Sequence, residues 1–341
     1  MTINLKQLAE RLGLSQTTVS RALNGYSDVG ESTRRRVAEE AARLGYAPSA
    51  MARRLAMGKS DAIGLIYPLE AAYLGDPRFL EVLEGITERL DEARMDVLVA
   101  SAGRNNELES YKRLIRTQRV DGFIVARTHL DDARIRFLRQ AKFPFISYGR
   151  TNDAAKIAWF DFDNELGGNL AGERLLALGH RRIGYIHAPL DLTFAAQRHR
   201  GFVTALRAGG IDADPALMRE AGFSRRAAYA AINDLLRLPD RPTAVVIDNN
   251  QAGVGAIRAV LEAGLRLGRD CSLIVYDGLP EDTQIDQKDI TSIEQPTPHA
   301  AGRQLAELML DVLQGAPPAT LQVLWQPLLR LGRSDGPAAI R

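Results

Sequence analysis

The sequence predicts an N-terminal all-α helix-turn-helix head followed by a two-lobed α/β body of doubly wound parallel sheets. Three observations carry this prediction. The first 58 residues read as short amphipathic helices separated by Gly and Pro. From residue 62, short apolar runs alternate with amphipathic helical stretches, and this alternation occurs twice. With 341 residues, the chain is long enough for two or three domains.

The composition is that of an ordinary globular protein, with 45% hydrophobic and 25% charged residues. No run of about 18 apolar residues exists, which excludes a membrane-spanning helix. The first residues lack a basic stretch followed by an apolar one, so we expect no secretory signal and a cytoplasmic location. Cys271 is the only cysteine, which excludes an internal disulfide.

Two short helices are predicted over residues 5–12 and 16–23. Asn4 and Ser15 are residue types that cap helices, and Gly13 separates the two helices. The apolar positions at helical spacing are Leu5, Leu8, Ala9, Leu12, Val19, Ala22 and Leu23. The side chains that face outward from the second helix are Gln16, Thr17, Thr18, Ser20 and Arg21. Because such side chains pair with base edges, we expect the second helix to lie in the major groove of DNA. An ordinary helical hairpin is the alternative.

A third helix is predicted over residues 31–44. Its apolar stripe is Val37, Ala38, Ala41 and Leu44, and Gly45 ends it. The three helices together make the compact head that a base-reading helix needs for support.

Charge is distributed unevenly along the chain. The whole chain carries +2, but residues 1–60 contain ten basic and five acidic residues, which leaves the other 281 residues at −3. The basic cluster that begins at Arg34 is therefore predicted to contact phosphates, with a solvated helix face as the alternative.

A short basic segment follows the head, over residues 48–57. Pro48 can start a helix there, with Ala52 and Leu55 on one face and Arg53 and Arg54 on its flanks. Such a helix is marginal alone in water, so we expect it to form when paired or on DNA. Leu55 is predicted to insert between base steps from the minor groove. A plain interdomain linker is the alternative.

The body shows strands and helices in alternation. Strands are predicted over residues 62–67, 96–101, 122–126 and 145–148, then, after a break near 151–156, over 158–160, 182–187, 244–247 and 272–276. Helices are predicted between them. Because open sheets bind ligands beyond the carboxyl ends of their strands, two facing lobes should form a ligand cleft.

These motifs resemble the lactose/galactose repressor (LacI/GalR) family. In the head, the matching segments are residues 5–9 (LKQLA), 13–24 (GLSQTTVSRALN), 33–37 (TRRRV) and 44–49 (LGYAPS). In the body, they are residues 120–122 (VDG), 163–164 (DN) with Gly167, 178–186 (LGHRRIGYI), Arg198 with 201–202 (GF), and 291–296 (TSIEQP). Several motifs match in the same order and at the same spacing as in the family.

For the head, the resemblance implies that Gln16, Thr17 and Arg21 read bases and that other positions hold phosphates. It also implies that Ala52 and Leu55 belong to a hinge helix, which pairs with its twofold mate in the minor groove. The full set of expected DNA contacts is Leu5, Ser15, Gln16, Thr17, Thr18, Arg21, Asn24, Arg34, Ala52, Arg53 and Leu55.

For the body, the resemblance implies the type I periplasmic-binding-protein fold, in which the chain crosses between lobes three times. We expect crossings near residues 158–162, 290–293 and 325–328, and a helix over 298–313 that returns to the first lobe. The expected domains are a head (1–47), a hinge (48–60), a first lobe (about 61–158 and 293–325) and a second lobe (about 162–290 and 328–341). Residues 328–331 should form a short edge piece.

The expected effector contacts lie where strands end. The resemblance implies Arg198, Asp277, Asn249 and Phe223, and Tyr67, Phe79, Arg127, Tyr148 and Asp163 are further candidates. A guanidinium group can bind vicinal hydroxyl groups, and an aromatic ring can stack on a ligand face. Residues 249–250 (NN) depart from the Asn-Asp pair common in the family.

Five of the effector candidates have a structural alternative. Arg198 can form an ion pair between the lobes, Asp277 a cap, Phe223 part of the core, and Asn249 a turn. The Asp-x-Asp spacing of Asp161 and Asp163 suggests a strand-end ligand position or a helix cap before it suggests a metal. We therefore expect no metal and no cofactor.

The predicted function is a dimeric transcription regulator that binds a pseudo-palindromic DNA operator and responds to a small sugar. Repression relieved by the sugar is the expected mode. A purine or nucleoside corepressor system on the same scaffold is the first alternative, and a sugar-transport binding protein is a second. The sequence contains no pairing of nucleophile and base and no Gly-rich phosphate loop, so we expect no enzyme.

Overall fold

The computed structural model describes residues 3–46, 59–67, 77–102, 106–280, 283 and 289–338. The chain divides into two compact units: Met1–Asp61 with Leu114–Asp121, and Ala62–Arg113 with Gly122–Arg341. We call the three-helix part of the first unit the head and the second unit the body. The predicted hinge helix, including Ala52, Arg53 and Leu55, lies outside the described residues.

The head contains the three predicted helices, α1 (Leu5–Leu12), α2 (Gln16–Leu23) and α3 (Glu31–Arg43). Asn4 and Gln7 form a reciprocal capping box at the start of α1, and Gly13 ends that helix in the left-handed conformation, at φ 65°. The Ser15 side chain accepts a hydrogen bond from the Thr18 amide and caps α2. Local sequence signals therefore set the boundaries of the first two helices.

A small apolar cluster holds the head together. Leu8, Val19 and Val37 are fully buried, one from each helix. Ala38 was predicted to belong to this cluster, but it is exposed because Val37 and Ala41 already occupy the inner face of α3.

The first lobe of the body contains a six-stranded parallel sheet. Its strands are β1 (Ala62–Tyr67), β2 (Asp96–Ser101), β3 (Gly122–Val125), β4 (Phe145–Tyr148), β5 (Trp159–Phe162) and β11 (Gln322–Trp325), in the order β11-β5-β4-β3-β1-β2. The helices that accompany them are α4 (Pro77–Glu92), α5 (Glu107–Arg116), α6 (Ala133–Gln140) and α11 (Pro298–Leu313). Helices α4 and α11 pack against each other.

The second lobe has a six-stranded sheet with the same layout. Its strands are β6 (Ile183–His187), β7 (Met218–Glu220), β8 (Ala244–Ile247), β9 (Ser272–Tyr276), β10 (Thr291–Glu294) and β12 (Leu328–Arg330), in the order β12-β10-β9-β8-β6-β7. Its helices are α7 (Asn164–Ala177), α8 (Thr193–Ala208), α9 (Arg225–Leu236) and α10 (Asn250–Glu262). All strand pairs are parallel except β10 with β12, so residues 328–330 form the predicted edge piece as an antiparallel strand.

Strand assignment corrects the sequence prediction in two places. The predicted break near residues 151–156 lies inside the first lobe, because β5 pairs with β4 and β11 and not with the second sheet. Strands β7, β10 and β11 were not predicted. They are only three or four residues long, and β7 and β11 are partly exposed, so they lack a buried apolar run.

The chain crosses between the sheets three times, as predicted. The crossings follow β5, β10 and β11, and the third falls between Trp325 and Leu328, within the expected range. The second lies after residue 294 instead of at 290–293, because β10 still pairs with β9. Helix α11 then packs on strands β3, β4 and β5 of the first lobe, as expected.

Candidate functional site

A cavity of about 200 Å³ lies between the two lobes of the body. It is many times larger than the roughly 10–15 Å³ that a cavity needs to hold one water molecule. Its walls include residues at or just after the ends of β1, β3, β4, β8 and β9. This is the place at which doubly wound sheets bind ligands.

Eight of the nine predicted effector residues line this cavity: Arg198, Asp277, Asn249, Phe223, Phe79, Tyr67, Arg127 and Tyr148. Asp163 is the exception. Its carboxylate accepts a hydrogen bond of 3.1 Å from the Leu166 amide and caps α7, which was its alternative assignment. Asp163 is therefore placed as a helix cap outside the cavity lining.

Arg198 is a buried side chain of the cavity wall that three neighbours hold. Helix α8 carries it, and only 6% of the residue is exposed. Its Nε donates to Asn164 Oδ1 at 2.9 Å, and Nη1 donates to the backbone carbonyl of Asp248. The guanidinium carbon lies 3.4 Å from the centroid of the Tyr276 ring. These contacts fix the orientation of the planar guanidinium group before a ligand binds.

The charge of Arg198 is compensated within the second lobe. Burial alone would lower the pKa of its guanidinium, but Tyr276, Asp277 and Asp248 outweigh burial and raise the pKa. Its Nη2 lies 3.7 Å from Asp277 Oδ2. Both residues belong to the second lobe, so this pair is not the ion pair between lobes that the sequence left open.

Asp277 instead meets the first lobe through Arg78. The two side chains approach to 3.3 Å, between Arg78 Nη2 and Asp277 Oδ1, although they come from different lobes. Asp277 has a left-handed backbone, at φ 66°, which few residues other than Gly adopt. Oδ1 is buried and forms no hydrogen bond within the part of the chain that the structure describes. The carboxylate therefore keeps capacity to accept a hydroxyl donor.

Asn249 serves as a helix cap as well as a wall residue. Its Oδ1 accepts from the Ala252 amide at 2.9 Å, and its Nδ2 donates to the Gly222 carbonyl and to Asp248 Oδ1. Burial raises the pKa of Asp248 despite the neighbouring Arg198. Asn249 thus caps a helix instead of forming the turn that was its alternative, and these hydrogen bonds hold its side chain at the cavity.

Aromatic rings line both sides of the cavity. From the first lobe, Tyr67 and Phe79 stack with ring centroids 3.9 Å apart. From the second lobe, Phe223 lies 6.0 Å from Phe194, and the Arg127 guanidinium carbon lies 5.7 Å from the Phe223 ring. Such faces suit the apolar faces of sugar rings.

Several wall residues were not among the predicted effector contacts: Arg78, Asn164, Asn250, Thr128, Thr193, Phe194 and Gln295. Asp161, for which the sequence left open a strand-end ligand position or a helix cap, also lines the cavity. Asp161 is buried, and Asn164 donates to its Oδ1 at 3.1 Å while accepting from Arg198. Burial raises the pKa of Asp161, although Arg150 lies 3.0 Å away. Asp161 and Asn164 flank a lobe crossing, which is the sequence signal that could have identified them.

The lobes also contact each other beside the cavity. The hydroxyl groups of Thr128 and Thr193 share a hydrogen bond of 2.7 Å, and the Thr193 amide donates to the Thr128 carbonyl. His129 Nδ1 lies 3.2 Å from Asp191 Oδ2. Gly149 lies against this contact at φ 118°, where a Cβ atom would approach Thr128 Oγ1 to 2.3 Å. Any larger residue at position 149 would push the threonine pair apart.

The head presents a different kind of site. Gln16 and Thr17 are exposed in the first turn of α2, where a base-reading helix contacts DNA. Arg21 is also exposed, pairs with Asp28 at 2.8 Å and lies 4.9 Å from the Tyr26 ring. Gln16, Thr17 and Arg21 are thus exposed as predicted, whereas Thr18 and Ser20 are half-buried, and the base contacts remain predictions.

The other predicted head contacts have structural roles of their own. Ser15 and Thr18 share a hydrogen bond at the start of α2, and Asn24 ends that helix. Leu5 is half-buried against the apolar cluster, and Arg34 is half-buried on α3. These positions are compatible with backbone contacts to phosphates, which remain predictions.

Within the described ranges, no group of three or more His, Cys, Asp or Glu residues is arranged to hold a metal ion. None of the helices there has the length and apolarity needed to cross a membrane.

Two family models match the chain. One, described as periplasmic binding proteins and sugar binding domain of LacI family, matches residues 60–325. The other, described as bacterial regulatory proteins of the lacI family, matches residues 4–49. The matches cover the head and most of both lobes.

Individual relatives agree with these models. The chain is 40% identical to the HTH-type transcriptional regulator RafR of Escherichia coli over 331 residues, which cover 97% of this chain and 98% of that protein. The lac repressor dimer bound to operator and an anti-inducer is similar in structure, with 28% identity, a TM-score of 0.78 and coverage of 98% and 99% of the two chains. A CelR-cellobiose complex shares 27% identity, with a TM-score of 0.72 and coverage of 97% and 99%.

Proposed function

Because the chain belongs to the LacI family of bacterial regulatory proteins, we propose that it is a sequence-specific transcriptional repressor whose operator affinity changes when a small sugar binds in the cleft. The cavity between the lobes carries this proposal. It combines a rigid guanidinium group, a carboxylate with free acceptor capacity and opposed aromatic rings. These groups recognise hydroxyl groups and ring faces together.

The proposed effector contacts are divided between the lobes. Arg198, Asp277, Asn249 and Phe223 bind from the second lobe, while Tyr67, Phe79, Arg127 and Tyr148 bind from the first. A ligand held by both sets favours one arrangement of the lobes over another. The cellobiose bound by the related CelR supports a sugar as the ligand class.

The proposed DNA contacts are Gln16, Thr17 and Arg21 on bases, with Leu5, Ser15, Thr18, Asn24 and Arg34 near the backbone. The chain acts as a homodimer on a pseudo-palindromic operator, as the related lac repressor binds its operator as a dimer. Residues 48–60 form the hinge between head and body in this proposal. The protein acts in the cytoplasm and has no catalytic role.

Coupling follows from differential binding. The sugar shifts the population between two lobe arrangements, and operator affinity changes only as far as the sugar distinguishes them. Repression relieved by the sugar is the proposed mode, with release of the hinge from the minor groove as its consequence.

Mobility-shift titrations test the proposal with the full chain, an operator selected from random DNA and a panel of mono- and disaccharides that includes cellobiose. We expect one of these sugars to bind in calorimetry and to weaken operator binding. A purified protein that prefers no duplex over random competitor would refute the regulator function. A sugar that strengthens operator binding would refute induction and support a corepressor mode.

A further inference from the structure

A half-buried carboxylate, that of Asp121, lies directly before β3, outside the cavity lining and outside the base-reading face. Asp121 accepts hydrogen bonds at Oδ1 from the Ser60 amide and the Ser60 hydroxyl, both at 2.7 Å. Its Oδ2 accepts from the Asp61 amide at 2.8 Å. We call Asp121, Ser60 and Asp61 the Asp121 anchor. All three residues belong to the first compact unit.

The anchor determines a backbone conformation that the chain would not adopt by preference. Asp61 has φ 49°, in the left-handed region. This backbone conformation costs residues other than Gly roughly 1 kcal/mol or more of free energy. Such a conformation persists only where surrounding contacts impose it. Here the contacts are two backbone amides and one hydroxyl bound to a charged carboxylate, a strong type of hydrogen bond. Asp121 therefore holds the backbone of residues 60 and 61 in this conformation.

The anchor connects the ends of two paired strands. Asp61 directly precedes β1 and Asp121 directly precedes β3, and these strands pair in parallel from Ile63 and Gly122 onward. At their carboxyl ends, the same two strands lead to Tyr67 and Arg127 in the cavity wall. One pair of neighbouring strands thus carries effector candidates at one end and the anchor at the other.

The anchor includes the end of the proposed hinge. Ser60 is the last residue of that segment, which runs over residues 48–60. A change in the direction of residues 60 and 61 therefore acts on the end of the proposed hinge itself. We propose that Asp121 is a positioning residue, which transmits effector binding in the cleft to the hinge and hence to DNA binding. This inference rests on the proposed function.

The test compares Asp121→Asn, Ser60→Ala and a control, Asp214→Asn, in the full chain. The Asn amide keeps the shape of Asp121 but removes its charge and one acceptor oxygen. Ser60→Ala removes one of the three hydrogen bonds and leaves the carboxylate. Asp214 likewise accepts a backbone amide, from Ala216 at 2.8 Å, but it lies in the second lobe. Effector affinity is measured by calorimetry, and operator affinity with and without the effector sugar.

We expect Asp121→Asn to bind the effector with an affinity within about twofold of that of the unsubstituted protein. The ratio of its operator affinity without effector to its operator affinity with effector should, however, fall close to one. That ratio is about 5- to 150-fold in allosteric proteins. Ser60→Ala should give an intermediate loss, and Asp214→Asn none. An unchanged ratio in both anchor variants overturns the proposal. If Asp121→Asn fails to fold, the ratio measured for Ser60→Ala decides.

Tryptic cleavage tests the role of the Asp121 anchor without DNA. Trypsin cleaves after Arg and Lys, and Arg53, Arg54 and Lys59 precede Ser60 in the sequence. We expect effector to change the cleavage rate there in the unsubstituted protein but not in Asp121→Asn; an equal response in both overturns the proposal. Loss of operator binding by the unsubstituted protein would instead count against the proposed regulator function, and the cleavage result would still decide the role of the anchor.

Discussion

The base-reading face of the head and the cleft of the body position their polar side chains by different means. Gln16 and Thr17 are exposed, and the backbone of a capped helix places them. Arg198 is buried, and Asn164, the Asp248 carbonyl and the Tyr276 ring hold it from three directions. The head face can therefore adjust its side chains to a DNA surface, whereas the cleft groups are oriented in advance. Substitutions should separate the two regions: head changes affect DNA alone, and cleft changes affect effector response and body stability.

The largest effect is expected for Arg198→Ala. It removes the guanidinium fork and leaves buried polar partners unpaired, so effector affinity should fall by about 100-fold or more, in the range of 2–5 kcal/mol for such truncations. Operator binding without effector should remain. Calorimetry with the effector sugar and mobility shifts measure both quantities.

Arg200→Ala is the matched control for Arg198→Ala. Arg200 lies on the same helix, pairs with Glu165 at 3.0 Å and is half exposed. Its removal should leave effector affinity unchanged. Equal losses in the two variants would mean that Arg198 acts through helix α8 in general and not through the cavity.

Gln16→Ala tests the base-reading face of the head. A base-pairing side chain contributes about 1–3 kcal/mol of discrimination, so the preference for operator over random DNA should fall while effector affinity stays the same. Competition mobility shifts measure the preference. Gln314→Ala, an exposed Gln in the body, should change neither property; a weaker effector response in Gln16→Ala would contradict the separation of the regions.

Gly149→Ala tests whether contact between the lobes matters for the cleft. The added Cβ would collide with Thr128 and Thr193, and overpacking of this kind costs about 1–3 kcal/mol. We expect effector affinity to fall by about tenfold and the radius of gyration from small-angle scattering to increase.

Gly210→Ala controls for backbone strain. Gly210 also has a positive φ, of 73°, but no atom lies within 4 Å of its added Cβ. It should lose stability without losing effector affinity. If both glycine variants weaken effector binding equally, strain and not lobe separation explains the Gly149 result.

Arg78→Ala should have the smallest effect. The Arg78–Asp277 pair is only partly shielded from solvent, with side-chain exposures of 27% and 11%, so its loss should weaken effector binding a few-fold, by about 1 kcal/mol. Arg78→Lys should recover part of the loss. Calorimetry measures the series, with Arg303→Ala, which breaks a surface pair with Glu88, as a control. A loss as large as that of Arg198→Ala would make Arg78 a principal effector contact.

Much of the architecture followed from local signals. The head helices were predicted from their capping residues, Asn4, Gly13 and Ser15, because caps form hydrogen bonds with backbone groups only a few residues away. The central strands of both sheets were predicted to within one or two residues. The short strands β7, β10 and β11 were missed, since their strand geometry comes from pairing with neighbours and not from their own composition.

The cleft was predictable only in part. Arg198, Asp277, Asn249 and Phe223 were expected at strand ends or in family motifs, and they converge on one cavity. Asp163 shows the limit, because Asp161, two residues before it, lines the cavity while Asp163 caps a helix. Residues two apart share one face of a strand, but β5 ends at Phe162, so Asp163 already belongs to the start of the next helix.

The sequence alone determined the helices of the head, their caps, the basic charge of the first 60 residues and the alternation that makes two parallel sheets. Each of these depends on residues close together in the chain. Tertiary structure decided which sheet receives β5 and β10, that Arg78 meets Asp277 and that Asp121 holds residues 60 and 61. Those contacts join distant segments, so they exist only after the strands and helices have packed and fixed the distances between them.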